Sequence, residues 1–277
     1  AFRRNNLDEA ADYFGCEIAV GGAEKIALGN QGVVARLLGD EDLALECGAK
    51  SVSGKSYRPE LYSNYAQTLF EFGAPDSALT VARRGLEVDS ADTRLLHLAG
   101  SAALEAGEIQ IAERYLRRAI EPGKGGDLAG YSLSGILTTE SGAGQPESSL
   151  RARSLHNLAI IEAGRENYDR ADNLLRRSLK ILPDYAEGWA LLGVVLEAAG
   201  RPSQSAGATK RALKLGHRTP EVYYNLGIAL AQTGEYDSAY AAFQSALQLR
   251  NDFVPAREKI RLLKKLAEDG KISLEYK

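Results

Sequence analysis

Apolar residues recur along the chain at spacings of three and four, with polar residues between them. In the stretch from Pro220, Val222, Leu226, Ala229 and Leu230 fall on one face. This periodicity predicts amphipathic helices. Glycines punctuate the pattern: Gly39, Gly73, Gly107, Gly200 and Gly234 each close one apolar stretch before the next begins. Glycine there predicts a left-handed helix cap. Pro75 and Pro202 lie two residues beyond such glycines, where a helix start loses nothing by lacking an N–H.

The pattern repeats every 34 residues. Units begin at 25, 59 and 93, and again at 152, 186 and 220. Numbering slots from each start, slot 8 holds Gly32, Ala66, Gly100, Ala159, Gly193 and Gly227. Slot 20 holds Ala44, Ala78, Ala112, Ala171 and Ala239, with Ser205 in the unit at 186. Slot 24 is large in Leu116, Leu175 and Phe243, and weak in Gly48, Ala82 and Thr209. Small slots let two helices approach, and large slots fill the space between them. One helix pair cannot bury its apolar face alone, so neighbouring pairs must stack.

These slots resemble the tetratricopeptide repeat family. The unit at 220 matches most fully, with Tyr223, Leu226, Gly227, Leu230, Ala239, Phe243 and Ala246 in the family's positions. The unit at 152 departs from it, with Gly164 two slots before the expected turn. The resemblance covers about 220 of the 277 residues. It implies an all-α, right-handed superhelical solenoid of antiparallel helix pairs, with the first helix of each pair lining the concave side.

The register divides the chain. Residues 1–24 read as an incomplete repeat, second helix only, whose first helix belongs upstream. Residues 25–126 hold three repeats, and 152–253 three more. Residues 127–151 read as a shortened irregular unit or hinge, rich in glycine, with a short helix expected over 128–139. Residues 254–277 read as a polar capping helix and tail.

Composition narrows the function. The net charge of −3 argues against nucleic-acid binding, and no apolar run is long enough to span a membrane. A soluble protein is expected, cytoplasmic, or periplasmic or organellar if a signal has been removed upstream. The chain contains no methionine and begins at Ala1. Cys16 and Cys47 read as buried small apolar residues rather than as a disulfide. His97, His156 and His217 pair with no other ligand at metal spacing, so no metal or cofactor is expected. Residues 49–56, AKSVSGKS, satisfy the relaxed phosphate-loop expression, but the residues before them are helical by register and no α/β pattern follows. No acid–base set stands out, so the chain is read as non-enzymatic.

The candidate site follows from the resemblance, which places slots 2, 5, 6, 9, 12 and 13 toward the groove. Slot 6 holds Asn30, Asn64, Asn157 and Asn225, a ladder able to donate to and accept from a peptide backbone. Asparagine at this slot also serves to bond a neighbouring helix. Around the ladder stand Gln67, Arg94, His97, Arg153 and His156, with Tyr224 at slot 5. Ile160, Val194 and Ile228 at slot 9 make the C-terminal end more apolar, suited to a helix or an apolar peptide. The expected partner is a protein, bound as an extended peptide or helix. The alternatives are a self-assembling or complex-organising scaffold, hence a homo-oligomer or larger complex, and a recruiting arm of a larger enzyme.

Overall fold

The computed structural model describes residues 2–19, 24–54, 56–121 and 147–274, with backbone alone for 2–6. The expectations for 127–146, including the helix over 128–139, lie outside these residues. Among the described residues there are fourteen helices and no strand. They form two compact units, Ala1–Asn157 and Leu158–Lys277.

The first unit opens with α1 (Phe2–Ala19), which packs on α2 (Glu24–Leu38). Three pairs follow: α2 with α3 (Glu41–Ser51), α4 (Pro59–Glu71) with α5 (Pro75–Val88), and α6 (Thr93–Glu105) with α7 (Ile109–Ile120). Helix α8 (Glu147–Gly164) contributes its first part to this unit. The second unit holds α9 (Tyr168–Ile181), α10 (Ala186–Ala198), α11 (Pro202–Lys214), α12 (Pro220–Gln232), α13 (Tyr236–Leu249) and α14 (Val254–Glu268).

Small slots meet large ones inside each pair. A Cβ added to Gly100 would lie 2.6 Å from Leu116 Cγ, and one on Gly227 would lie 2.5 Å from the Phe243 ring. Weak slots are filled in two ways. Tyr65 of the next pair occupies the space at Gly48, where a Cβ would come within 2.3 Å of its ring. In the unit at 186, Ser205 Oγ donates to the Gly193 carbonyl at 2.7 Å, and Thr209 Oγ1 donates to the Ser205 carbonyl at 2.9 Å. Both buried hydroxyls are thereby satisfied.

The turn between paired helices has one geometry in all six units. The residue after it bonds back five positions, as in Asp40 N to Ala35 O at 2.9 Å and Arg201 N to Leu196 O at 2.8 Å. Five units place glycine at the left-handed position, from φ 71° at Gly200 to 82° at Gly39 and Gly234. In the unit at 152 the position falls to Glu166, φ 62°, while Gly164 stays helical. Side chains pin this turn. Buried Glu162 accepts from Asn167 Nδ2 at 2.9 Å and pairs with Arg165 at 3.3 Å and Arg170 at 3.8 Å. A strained residue persists where its surroundings over-determine it. Glu166→Gly is therefore expected to raise stability by about 0.5–1 kcal/mol, read from the urea midpoint. An unchanged or lower midpoint would show that Glu166 carries no strain.

Cys47 is buried, and its thiol donates to Gln31 Oε1 at 3.6 Å. Burial, and then Glu46, push this thiol's pKa up. Cys16 differs from expectation: it is exposed, because Phe14 takes the buried position on α1.

Candidate functional site

The first helices of the two units present different faces. In the first unit, slots 5, 6 and 9 are largely covered: Gly29, Ser63, Asn64, Leu98, Val33 and Ser101 are buried. Small residues allow this approach, since a Cβ on Gly29 would lie 2.6 Å from Leu61 on the next first helix. The same slot relation recurs between α6 and α8, where His97 Nδ1 meets Ser154 Oγ at 2.9 Å. Asn157 Nδ2 donates to Ser101 Oγ at 2.9 Å, and Thr93 Oγ1 to Glu147 Oε1 at 3.1 Å. The start of α8 thus takes the place of a next-in-register first helix beside α6.

Gln67 and Asn157, two polar candidates of this unit, hydrogen-bond within it, and Asn64 is buried. Asn64 is 8% exposed, Asn157 spans to α6, and Gln67 Nε2 donates to Glu71 Oε1 at 2.7 Å. Asn30, Arg94, Arg153 and His156 are half-buried. Burial lowers the Arg94 pKa, and Asp92 and Glu60 oppose that shift.

His97 is held neutral. Burial foremost, and then the charge of Arg153, bring its pKa from 6.5 down to about 4. The unfolded chain takes up that proton near pH 6.5. The neutral ring's contribution to stability is therefore whole above pH 6.5 and lost as the pH falls through 4. The loss is about 3 kcal/mol. His97→Asn is expected to remove this loss, with wild type and variant compared by urea denaturation at pH 7 and pH 4. An equal acid-induced loss in both proteins would contradict it.

The second unit exposes an apolar row. Ile160, Val194 and Ile228 stand 34 residues apart on α8, α10 and α12, with Ile160 at 39% and Val194 at 41% exposure and Ile228 half-buried. One further step of 34 reaches Leu262 on α14, 49% exposed. Helix α14, expected as a polar cap, thus carries an exposed leucine in register with the row. Asn225 is half-buried beside the row. Tyr224 turns its ring into the core, 5.7 Å from Phe243 and 5.8 Å from Phe253. Burial first, then Glu197 and Glu258, raise its phenol pKa. Glu197 Oε1 accepts from Gln232 Nε2 at 2.8 Å, linking α10 and α12.

Two open clefts lie elsewhere. One, of about 540 Å³, is lined by Ala49, Val52, Ser53, Gly54, Tyr65 and Arg84 among others. Ala49, Val52, Ser53 and Gly54 of the phosphate-loop-like stretch line it, but α3 leads into it and no strand precedes it among the described residues. Its backbone is already engaged: Arg84 donates to Val52 O at 3.1 Å, Lys25 to Ser53 O at 2.6 Å, and Ser53 N to Lys50 O at 3.1 Å. A phosphate cradle needs inward N–H groups instead. The other cleft, of about 610 Å³, includes Asp169 and Arg201, which pair with each other. Among the described residues, no group of three or more His, Cys, Asp or Glu could hold a metal, and no helix is long and apolar enough to cross a membrane.

Stacked antiparallel helix pairs with a period of 34 residues define an α-helical repeat protein. Family models of the tetratricopeptide repeat match residues 220–253 and 151–182. A TPR repeat-containing protein of Methanocaldococcus jannaschii is 29% identical over 101 residues, covering 36% of this chain and 18% of that protein. The chain thus spans less than a fifth of that curated relative's length. A tetratricopeptide repeat protein from Parabacteroides merdae superposes with TM-score 0.61 at 16% identity, over 94% of this chain and 93% of that one. YrrB, a TPR protein with an unusual peptide-binding site, superposes with TM-score 0.54 at 16% identity, over 77% and 97% of the two chains. The chain carries tetratricopeptide repeats at 151–182 and 220–253 and has the fold of tetratricopeptide repeat solenoids.

Proposed function

We propose that the chain is a non-enzymatic adaptor that captures a segment of another protein on the first-helix face of residues 158–277. Ile160, Val194 and Ile228 supply apolar area there, and Tyr224 and Asn225 border it. The observation that carries this reading is the exposed apolar row, whose slot-9 counterparts Val33 and Ser101 are buried in the first unit. Apolar surface removed from water contributes about 25 cal/mol per Å², so a contiguous row is a source of affinity. The likeness to YrrB supports peptide capture as within the reach of this fold. In this reading Asn30, Asn64, Gln67, Arg94, His97, Arg153, His156 and Asn157 order the first unit's own helices. The test is a peptide-display selection on the wild-type chain, repeated with Val194→Asn/Ile228→Asn. Peptides that bind wild type and lose at least about tenfold on the variant support the groove. Peptides indifferent to the variant, or no peptides at all, overturn it.

A further inference from the structure

In the first unit, the arginines of the second helices are spent on the fold. Arg84 and Arg118 donate to the Val52 and Ser90 carbonyls, Arg83 pairs with Glu108, and Arg117 with Glu113. The second helices of the second unit hold cations in excess of such bonds. On α9 and α11, Arg176 pairs with Asp172 and Arg211 with Asp184. Lys180, Lys210, Lys214 and Arg218 are exposed and enter no ion pair among the described residues, and Arg177 is in the same state one turn before Lys180.

Bonds between α9 and α11 bring these cations to one surface. Arg176 Nη2 donates to Gln204 Oε1 at 3.3 Å, and Arg211 Nη2 reaches Asp184 Oδ1 at 3.3 Å. Lys180 precedes Asp184 by four residues and Lys214 follows Arg211 by three, so the two lysines flank that second bond. Lys210 and Lys214 are neighbours on one helix face. Carboxylates do not cancel this charge. Between Arg176 and Glu221, Asp184 is taken by Arg211 and Glu221 by Arg250, while Glu197 bonds Gln232 at the far end of α10. Only Glu187, and Asp252 past α13, stand exposed and unpaired against the five cations.

A helix C-terminus favours cations, but it does so in every unit. At slot 29 the units at 59 and 93 hold Glu87 and Glu121, where those at 152 and 186 hold Lys180 and Lys214. The change of sign therefore has another cause than the helix end. Slot 30 beside these lysines is apolar, with Ile181 40% exposed and Leu215 half-buried.

We infer that the last turns of α9 and α11 bind an acidic segment of a partner protein. Its carboxylates meet Lys180, Lys210, Lys214 and Arg218, and its apolar side chains meet Ile181 and Leu215. This surface belongs to the second helices and does not depend on the groove reading. A protein segment suits it better than a nucleic acid or an anionic membrane. The Asp184 side chain stays 80% exposed beside Arg211, and the chain carries a net charge of −3. A continuous array of phosphates would meet that carboxylate, whereas a peptide can set its own carboxylates only where cations stand.

The probes are a fluorescein-labelled peptide of glutamates with leucine at every third position, its glutamine counterpart, phosphatidylserine vesicles and single-stranded DNA. The glutamate peptide is expected to bind at least about tenfold more tightly than the glutamine peptide near physiological salt. Lys180→Glu/Lys214→Glu is expected to weaken the glutamate peptide at least about tenfold, and the first unit already accommodates glutamate at this slot. Arg261→Glu/Lys265→Glu changes the net charge equally on α14 and is expected to weaken it by less than about threefold, as is Val194→Asn/Ile228→Asn. A glutamate peptide that binds no better than the glutamine one, or equal weakening by both charge-reversed pairs, overturns the inference. Loss of binding on the asparagine pair places the peptide in the groove and overturns it too. If vesicles or DNA bind more tightly than the peptide and lose that binding on Lys180→Glu/Lys214→Glu, the acidic-protein class is overturned.

Discussion

Phe243→Ala is expected to cost about 3–5 kcal/mol, with the loss concentrated in α12, α13 and α14. Phe243 is 1% exposed and fills the space above Gly227. Its ring also meets Tyr224, which in turn meets Phe253 at the entry to α14. Truncation therefore opens a cavity where three helices converge. Stability in a repeat protein is close to a sum of local and nearest-neighbour contributions. Hydrogen exchange should accordingly show α12–α14 losing protection while α2–α7 keep theirs. A loss below about 1 kcal/mol, or one spread evenly over both units, would contradict the packing described for Phe243.

Glu71→Ala is expected to be comparably severe, and far worse than replacing its partner Arg36. The Arg36 side chain is 2% exposed, and its Nη1 donates to Glu71 Oε2 at 2.5 Å. Its Nε and Nη2 are buried and donate to no protein acceptor. Removing Glu71 strands a desolvated cation, at a cost of about 3–5 kcal/mol. Arg36→Met instead removes the buried charge and leaves Glu71, 36% exposed, to water and to Gln67. That change is expected to be near neutral or stabilising by about 1–2 kcal/mol. Urea denaturation of both single variants decides it. Equal losses would show that the Arg36 guanidinium is better solvated than its burial implies.

The fold was legible because a 34-residue period constrains both helices of a pair at once. Slot 8 against slot 24 reads directly from residue size, as Gly100 with Leu116 and Gly227 with Phe243 confirm. Compensation across pairs was not legible: nothing local to Gly48 says that Tyr65 will fill its space. Glu166 was hidden for a related reason. The sequence signature of a left-handed cap is glycine, and Gly164 drew attention to the wrong position while Glu162, Arg165 and Asn167 fixed the turn. The site was legible only in part. Register places a residue on the first helix, but side-chain size decides how closely adjacent first helices approach. That approach buries Asn64 and leaves Val194 exposed. Leu262 needed only one more step of the period.

Function in this protein turns on which row binds. The measurement that tests it most directly is the affinity of a selected peptide for two double variants, alongside their unfolding midpoints. Val194→Asn/Ile228→Asn should weaken binding at least about tenfold with little change in midpoint, since Val194 is exposed and Ile228 only half-buried. Asn64→Ala/Asn157→Ala should lower the midpoint, because the Asn157–Ser101 bond is lost, and leave affinity within about twofold. The reverse outcome, with binding lost on the asparagine pair and kept on the apolar pair, would contradict the account.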